Sequence, residues 1–308
     1  MIDVATANGI RVKAWTFDEL YGRDGKFLDG LDQRVQAFVG EVPPNFHVWL
    51  KRPQVLRKPP PNRTGRPQRH PRYARRDAQP SEVQNLATYS PKFNQQRAQR
   101  YRIKDTSKGP EVWEIKWETC WRKTHTAALV SHQGTLLVAH HVLTGEMKYF
   151  FSNRVPGRDG WTLRDLLRIA FGRWQVEGCF REVKEELGWD HFECRGWRCI
   201  HRHLYVTILS QLFCARVRQK LSPSKLVTSG ELLTMEQVRR ATSWYLQTVG
   251  LPPKTRKAKL QDELDRLTYH QQRNAVASSS HQKTRKKRLR ALGIDPDKIK
   301  SVATKPTQ

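Results

Sequence analysis

The 308-residue chain is long enough to bury one large hydrophobic core or two smaller ones. Its 56 Lys and Arg against 29 Asp and Glu give a net charge of +27. An excess of this size indicates a polyanionic partner, and nucleic acid is the commonest one. The sequence has no apolar run of about 18 residues and no signal-like start, which argues against a membrane partner.

The five cysteines are an odd number in a chain without a secretion signal. We therefore expect reduced thiols and a cytoplasmic protein. One Cys/His cluster suggests zinc as an alternative: Cys194, Cys199, His201 and His203. This cluster lacks the Cys-x2-Cys or His-x3-His spacing that lets two ligands bind one tetrahedral ion, so zinc is the weaker interpretation.

Residues 1–45 predict a strand, a helix and a second strand. Imperfect alternation indicates a strand over residues 10–17, and Asp18 lies at its end. Phe27, Leu28, Leu31 and Val35 then recur at helical spacing. Residues 37–42 predict another strand, which the prolines at positions 43 and 44 end.

Residues 46–109 have a different composition, rich in Lys, Arg and Pro, and predict a basic linker that is disordered or becomes ordered on DNA. Residues 110–155 predict a small antiparallel β insertion. Its candidate strands are residues 111–117, 127–130, 135–139 and 147–151. Residues 156–217 predict helices that return to the core. Residues 218–308 predict a basic helical tail, whose cationic block at 283–290 is typical of a solvated tail or a phosphate-binding arm.

The segment from residue 173 to residue 184 carries the most informative pattern. Arg173, Glu177 and Lys184 fall within about 40° of one another on a helix. An apolar stripe adjoins them, formed by Val176, Phe180, Val183 and Leu187. The pattern suits a metal ligand that works beside a phosphate backbone. On spacing alone it also suits an ordinary amphipathic helix with surface ion pairs.

Two carboxylates stand out as candidate metal ligands, Asp18 after a strand and Glu177 on a helix. Phosphodiester cleavage and strand transfer use two divalent ions about 4 Å apart, and Mg²⁺ prefers carboxylate oxygens. Neither residue is diagnostic alone, because an Asp before a Tyr-Gly turn is also ordinary turn chemistry.

Together these motifs resemble the DDE insertion-sequence transposases. Residues 17–22 (FDELYG) look like the strand of that family that ends in its second catalytic Asp. Arg173, Glu177 and Lys184 match the family pattern Tyr-x2-Arg-x3-Glu-x6-Lys, although Ala170 replaces the Tyr. The run from 186 to 203 and the β-rich block before Glu177 also resemble that family.

The resemblance implies an α/β fold: a partial RNase H-like core, with a mixed sheet and helices, interrupted by the β insertion and followed by the basic tail. It implies that Asp18 and Glu177 bind Mg²⁺ or Mn²⁺. It also implies that Arg173, Lys184 and Arg202 contact DNA. The implied partners are transposon ends and target DNA, on which two copies of the chain could pair as a homodimer. The implied location is the cytoplasm of a bacterium, in association with the nucleoid. For His201 and His203, a structural role as a hydrogen-bonded pair explains the pattern at least as well as contact with DNA does.

The first catalytic Asp of that family lies on an earlier strand, and the sequence before Asp18 is too short to contain it. Asp3 is the only Asp upstream of Asp18, and it is too close to Asp18 for a separate strand. We therefore expect an N-terminally truncated transposase that cleaves DNA weakly or not at all by itself. The alternatives are a non-catalytic basic nucleic-acid-binding protein and a zinc-dependent binding module.

Overall fold

The computed structural model describes residues 2–56, 71–74, 79–126, 128–221 and 233–302. The chain forms two compact units. Unit 1 comprises Met1–Arg173 and Ser278–Gln308, and unit 2 comprises Trp174–Ala277. The long helix α10 (Pro253–Ala291) contributes residues to both units.

Unit 1 combines a sheet with short helices. Its helices are α1 (Ile2–Ala7), α2 (Glu19–Gly22), α3 (Gly25–Gln33), α4 (Val83–Tyr89), α5 (Pro91–Asn94), α6 (Leu163–Gly172) and the end of α10. Its strands are β1 (Val39–Val42), β2 (His47–Trp49), β3 (Val55–Leu56), β4 (Arg72–Tyr73), β5 (Ser81–Glu82), β6 (Gln99–Thr106), β7 (Gly109–Arg122), β8 (Gly134–His141), β9 (Met147–Ser152) and β10 (Lys300–Ser301).

The main sheet places β1 beside β9, then β8 and β7, and β7 pairs with both β6 and β2. These pairings are antiparallel, whereas β10 joins β6 in parallel. Successive side chains point to opposite faces, and both faces are buried. One face packs with α3 and α4, and the other packs with α6. This mixed α/β arrangement is consistent with an RNase H-like core, as predicted.

The segment before Asp18 is extended over a shorter stretch than predicted. The residues from Trp15 to Phe17 run parallel to β1, and the Trp15 N–H donates to the Ala37 carbonyl at 2.8 Å. Part of the remaining N-terminal sequence forms α1, which the alternation did not indicate. Helix α3 is close to its prediction but ends at Gln33. Val35 therefore lies beyond it, 78% exposed and with φ of 55°.

The predicted disordered linker contains regular structure in its described part. Strands β2 to β5, helices α4 and α5 and strand β6 all begin between residues 46 and 109. Val83 and Phe93 are fully buried in the unit 1 core. For these residues the prediction of disorder is wrong, because two well-separated apolar side chains are enough to anchor short elements. Residues 57–70 and 75–78, where most of the basic and proline-rich sequence lies, are outside the described residues.

The β-rich block yields β7, β8 and β9 where the alternation indicated strands. Residues 128–130 instead form a turn with a single bridge between Lys123 and Val130, and residue 127 is outside the described part. The block does not form a separate sheet, because β9 pairs with β1. The strands predicted as an insertion therefore continue the core sheet.

Unit 2 is helical: α7 (Trp174–Leu187), α8 (Trp197–Leu221), α9 (Met235–Thr248) and the first part of α10. Cys214, Met235 and Val238 form a small buried cluster. Helix α8 leaves many large apolar side chains exposed, among them Tyr205, Val206, Leu209, Leu212 and Phe213. None of the helices in the described part of the chain is long and apolar enough to cross a membrane.

The end of the chain is not only a solvated tail. Leu289, inside the cationic block, is fully buried and packs with Val112 and Ile294. Val302 is buried in the core of unit 1. The prediction of a solvated tail is therefore wrong for this part, because apolar residues spaced among the cations provide a face that packs.

Candidate active site

Asp18 lies at the end of the extended segment beside β1 and caps helix α2. Its Oδ1 accepts a hydrogen bond from the Tyr21 N–H at 3.4 Å. Oδ2 has no hydrogen-bond partner among the described residues, so it can still bind a ligand. Asp18 therefore performs the turn chemistry that its sequence context indicated, and this role leaves half of its carboxylate available.

Close packing fixes the position of this segment. The Phe17 ring is buried against Gly40 of β1, where any side chain would overlap it. A side chain at Gly22 would overlap the Glu41 carbonyl. The glycine of the FDELYG motif thus allows α2 to lie directly on β1, and this contact positions the carboxylate that precedes α2.

A cleft of about 640 Å³ opens beside α2. Glu19 and Arg23 of α2 line it and form an ion pair of 3.1 Å. Lys123 and His125, from the loop after β7, line it together with His47 of β2. The cleft is polar and carries more basic than acidic groups, as a site next to a phosphate backbone requires.

A buried ion cluster supports this cleft. Arg122, 1% exposed, contacts the carboxylates of Asp29 and Asp32 at 2.6 Å each. The Asn153 amide donates to Asp32 at 2.9 Å, and the His125 backbone N–H donates to Asp29 at 2.7 Å. The cluster therefore connects α3, β7 and the loop that lines the cleft.

Sequence reasoning missed this cluster, although two signals were present. Asp29 and Asp32 each adjoin a leucine of the apolar face of α3, namely Leu28 and Leu31. On β7, Arg122 has the same alternation phase as buried Cys120. When charged residues occur beside or among the buried positions of two different elements, they indicate a buried ion pair. The reason is that burying a single unpaired charge costs too much free energy.

A second ion pair in unit 1 joins the segment before Asp18 to the start of α6. The Lys13 ammonium contacts the Asp165 carboxylate at 2.6 Å. Asp165 also completes a capping box with Thr162. The hydrogen bonds from Lys13 and then Thr162 lower the pKa of Asp165 to about 2.

The predicted Arg–Glu–Lys pattern is divided between the two units. Arg173 is the C-cap of α6 in unit 1, whereas Glu177 and Lys184 belong to α7 in unit 2. Ala170, at the position of the family's Tyr, is buried on α6. A buried methyl group cannot replace a tyrosine hydroxyl, so this departure removes a polar contact from the motif.

On α7, Glu177 and Lys184 are both exposed and two turns apart, which places them on one face. Lys184 lies 3.8 Å from Asp190, a weak surface ion pair. Within the apolar stripe, Val183 is fully buried, but Val176 and Phe180 are each 48% exposed. The predicted amphipathic helix is thus present, and only part of its apolar stripe is covered within unit 2.

The histidines after α7 have structural contacts. His203 Nε2 lies 2.8 Å from the Gly188 carbonyl at the end of α7, and His201 packs on Trp197 with ring centroids 4.1 Å apart. Arg202, between them, is exposed on α8. These contacts match the structural explanation of the histidine pair, while Arg202 remains accessible to a ligand.

Residues 1–110 match the family model of the DDE superfamily endonuclease. The match supports a DDE-type, transposase-like nuclease. It includes Asp18, whereas Glu177 and the three predicted DNA contacts lie beyond the matched residues. Nucleases of the DDE superfamily act on DNA and generally use divalent metals. No curated protein matches the chain.

The two predicted carboxylate ligands have the chemistry that a hard divalent ion requires, but they do not make a complete ligand set. Asp18 and Glu177 offer oxygen donors, which Mg²⁺ and Mn²⁺ prefer. Within the described residues, no group of three or more His, Cys, Asp or Glu side chains is placed to hold a metal. Cys194, Cys199, His201 and His203, the cluster for which zinc was the weaker interpretation, do not form such a group either. Asp3, the one acidic residue before Asp18 in the sequence, forms an ion pair with Arg34 at 2.6 Å.

Proposed function

We propose that this protein is of the DDE transposase type, whose reaction is the cleavage and joining of DNA strands at the ends of an insertion sequence. Because the described residues do not supply a complete set of metal ligands, we expect this chain by itself to cleave DNA weakly or not at all. The position of Asp18 carries the proposal. It lies within the family match, at the end of an extended segment parallel to β1, and has one carboxylate oxygen without a partner among the described residues. The polar, mostly basic cleft beside α2 suits a DNA phosphate.

In this proposal Asp18 and Glu177 both bind Mg²⁺ or Mn²⁺. When bound there, such an ion would supply activation of the attacking oxygen and stabilisation of the leaving oxygen of the phosphodiester. Arg173, Lys184 and Arg202 hold phosphates of the DNA. Lys184 suits that role because it shares a face of α7 with Glu177 and has only a weak ion pair of its own.

Metal binding tests the two carboxylates without relying on turnover. We expect Asp18→Asn and Glu177→Gln each to weaken Mn²⁺ binding by about tenfold, the effect of losing one good ligand interaction. Isothermal titration or electron paramagnetic resonance of free Mn²⁺ measures this affinity. The same proteins are then tested for Mg²⁺- and Mn²⁺-dependent nicking of a supercoiled plasmid. We expect weak or no nicking by the parent chain; robust nicking that Glu177→Gln abolishes would contradict this expectation.

Matched controls exist for both positions. Asp24 caps α3 as Asp18 caps α2, and asparagine caps a helix nearly as well as aspartate. Asp24→Asn therefore repeats the structural change without removing a proposed ligand. Glu185→Gln does the same on α7. If all four variants bound Mn²⁺ as the parent does and bound DNA equally, the protein would be a non-catalytic nucleic-acid-binding protein instead.

A further inference from the structure

A second basic pocket, remote in sequence from Asp18 and Glu177, lies where the chain end packs on the sheet of unit 1. It has a volume of about 280 Å³. Lys108 comes from the turn between β6 and β7, and His141 from the end of β8. Arg285 and Arg288 come from the last turns of α10. We call this the C-terminal pocket.

The walls of the C-terminal pocket are held in place by packing. Gly109, with φ of 105°, lets α10 approach so closely that an added Cβ would lie 3.3 Å from the Gln282 Cα. The Ser278 hydroxyl donates to the Ser107 carbonyl at 2.9 Å. Beneath the pocket, Leu289 packs with Val112. The pocket is therefore part of the folded unit and not a chance grouping of surface lysines.

Two of the cations that line this pocket form no ion pair with the described residues. No carboxylate is among the residues that line it. Within the described residues, neither the Lys108 ammonium nor the Arg288 guanidinium has an ion-pair partner. The nearby cations Lys286 and Arg290 differ, because both contact Asp297. Two cations that face one small pocket without a counter-ion indicate an anionic ligand.

A buried histidine adds a directed donor. His141, 4% exposed, accepts the backbone N–H groups of Leu143 and Thr144 at its Nδ1, at 3.3 and 3.0 Å. Burial lowers its pKa below the usual range, and this effect outweighs the opposing charge of the Glu111 carboxylate. The neutral ring therefore carries its proton on Nε2. That N–H has no hydrogen-bond partner among the described residues.

We propose that the C-terminal pocket binds a phosphate group of the DNA backbone, held by Lys108, Arg288 and the Nε2–H of His141. The choice of DNA as the source of the phosphate rests on the proposed function.

The strand register places this pocket relative to Asp18. Two turns border the pocket, one between β6 and β7 and one between β8 and β9, and both lie toward the same end of the sheet as the end of β1. In the sheet, β9, β8 and β7 lie between β1 and β6. The segment that ends at Asp18 lies beside β1, so the strands that border the pocket are two to five strand spacings away from it. At about 4.8 Å per spacing this distance is roughly 10 to 24 Å. A duplex that reaches Asp18 thus has about 3 to 7 base pairs over which to reach the pocket, at one base pair per roughly 3.4 Å.

The test compares two arginines of the same helix. Binding of a fluorescein-labelled duplex of arbitrary sequence is followed by anisotropy, with EDTA present, from about 50 to 200 mM salt. We expect Arg288→Gln to weaken binding about three- to tenfold at 100 mM salt and to reduce the salt slope by about 1. Arg290→Gln removes the same charge two residues later, outside the pocket, and should leave the slope unchanged.

Lys108→Gln tests the opposite wall and should reproduce the effect of Arg288→Gln, so the result does not depend on one variant remaining folded. Equal slopes for Arg288→Gln and Arg290→Gln, with no effect of Lys108→Gln, would overturn the proposal. A second combination of results would also overturn the proposal. In it, inorganic phosphate raises the melting temperature of the protein, but neither pocket variant changes DNA binding. EDTA removes divalent ions, so this binding test does not depend on the proposed metal ligands. Asp24→Asn, which changes a helix cap outside the proposed site, should bind the duplex as the parent does.

Discussion

Asp18 in unit 1 and Glu177 in unit 2 are supported by different amounts of packing. Asp18 follows a buried Phe17 and precedes a helix that lies directly on β1. Glu177 belongs to a helix whose described residues include one fully buried side chain, Val183. The carboxylate beside the sheet is thus positioned by close backbone packing against β1, at Gly40 and Glu41. A carboxylate on a lightly packed helix depends on a few contacts.

The largest expected effect is on the buried ion cluster of unit 1. Arg122→Met leaves Asp29 and Asp32 buried without their cation, and we expect a loss of about 3 to 5 kcal/mol in the free energy of unfolding. Urea unfolding measures it. Arg100→Met is the control, because the Arg100–Glu114 pair is partly exposed and worth less than about 1 kcal/mol. Equal losses would mean that the cluster does not organise unit 1.

The next effect tests how far α7 relies on Val183. Val183→Ala removes two methyl groups from a fully buried site, and we expect about 2 kcal/mol of destabilisation in unit 2. Phe180→Ala removes a larger side chain, but one that is 48% exposed, and should cost less. Amide hydrogen exchange of α7 peptides reports on both variants. A greater loss of protection in Phe180→Ala would show that the covered face of the helix has been misassigned.

Acid should weaken unit 1 through Asp165. Its pKa is about 2 in the folded protein, against an ordinary value of 3.8, so its contribution is present above pH 4 and is lost as the pH falls toward 2. We expect about 1 to 2 kcal/mol, reduced from the full shift because Lys13 is exposed. Urea unfolding at several pH values measures it. Asp165→Asn should remove this part of the pH dependence, and an unchanged acid slope would contradict the assignment.

The smallest effect should stabilise unit 1. Val35 is a β-branched residue with φ of 55°, in the left-handed region that favours glycine. Val35→Gly should raise the free energy of unfolding by about 0.5 to 1 kcal/mol. Thermal unfolding detects such a gain. Val35→Ala keeps the Cβ and should gain less; a loss of stability in the glycine variant would mean that Val35 makes contacts that offset its strain.

Periodicity predicted the elements that bury a regular face. The strands β7, β8 and β9 and the helix α7 lie where alternation or helical spacing placed them. The α/β fold followed from these elements and from the resemblance. The short elements between residues 46 and 98 escaped, because two- to seven-residue elements have too few residues for a period. These short elements are held in place by single buried side chains such as Val83 and Phe93, which pack in the core with residues of distant strands.

Only part of the candidate site could be predicted from the sequence, because a local motif reveals only residues that are close together in the chain. Asp18 could be found from a local motif, FDELYG, whose glycine is explained by its contact with Glu41. The Arg122 cluster and the C-terminal pocket could not be found in this way, because each joins residues far apart in sequence. Arg122 is 90 residues from Asp32, and Lys108 is 180 residues from Arg288. Whether Glu177 shares a metal with Asp18 stays a prediction.

The most direct test of that prediction is metal-centred cleavage of the protein itself. The chain is loaded with Fe²⁺ in place of Mg²⁺, and ascorbate with peroxide generates hydroxyl radicals at the ion. The cut sites are then mapped by mass spectrometry. We expect cuts close to Asp18 and close to Glu177 in the same sample, and loss of both sets when either Asp18→Asn or Glu177→Gln is used. Cuts at one position alone, or cuts that persist at the second position when the first is substituted, would contradict the account.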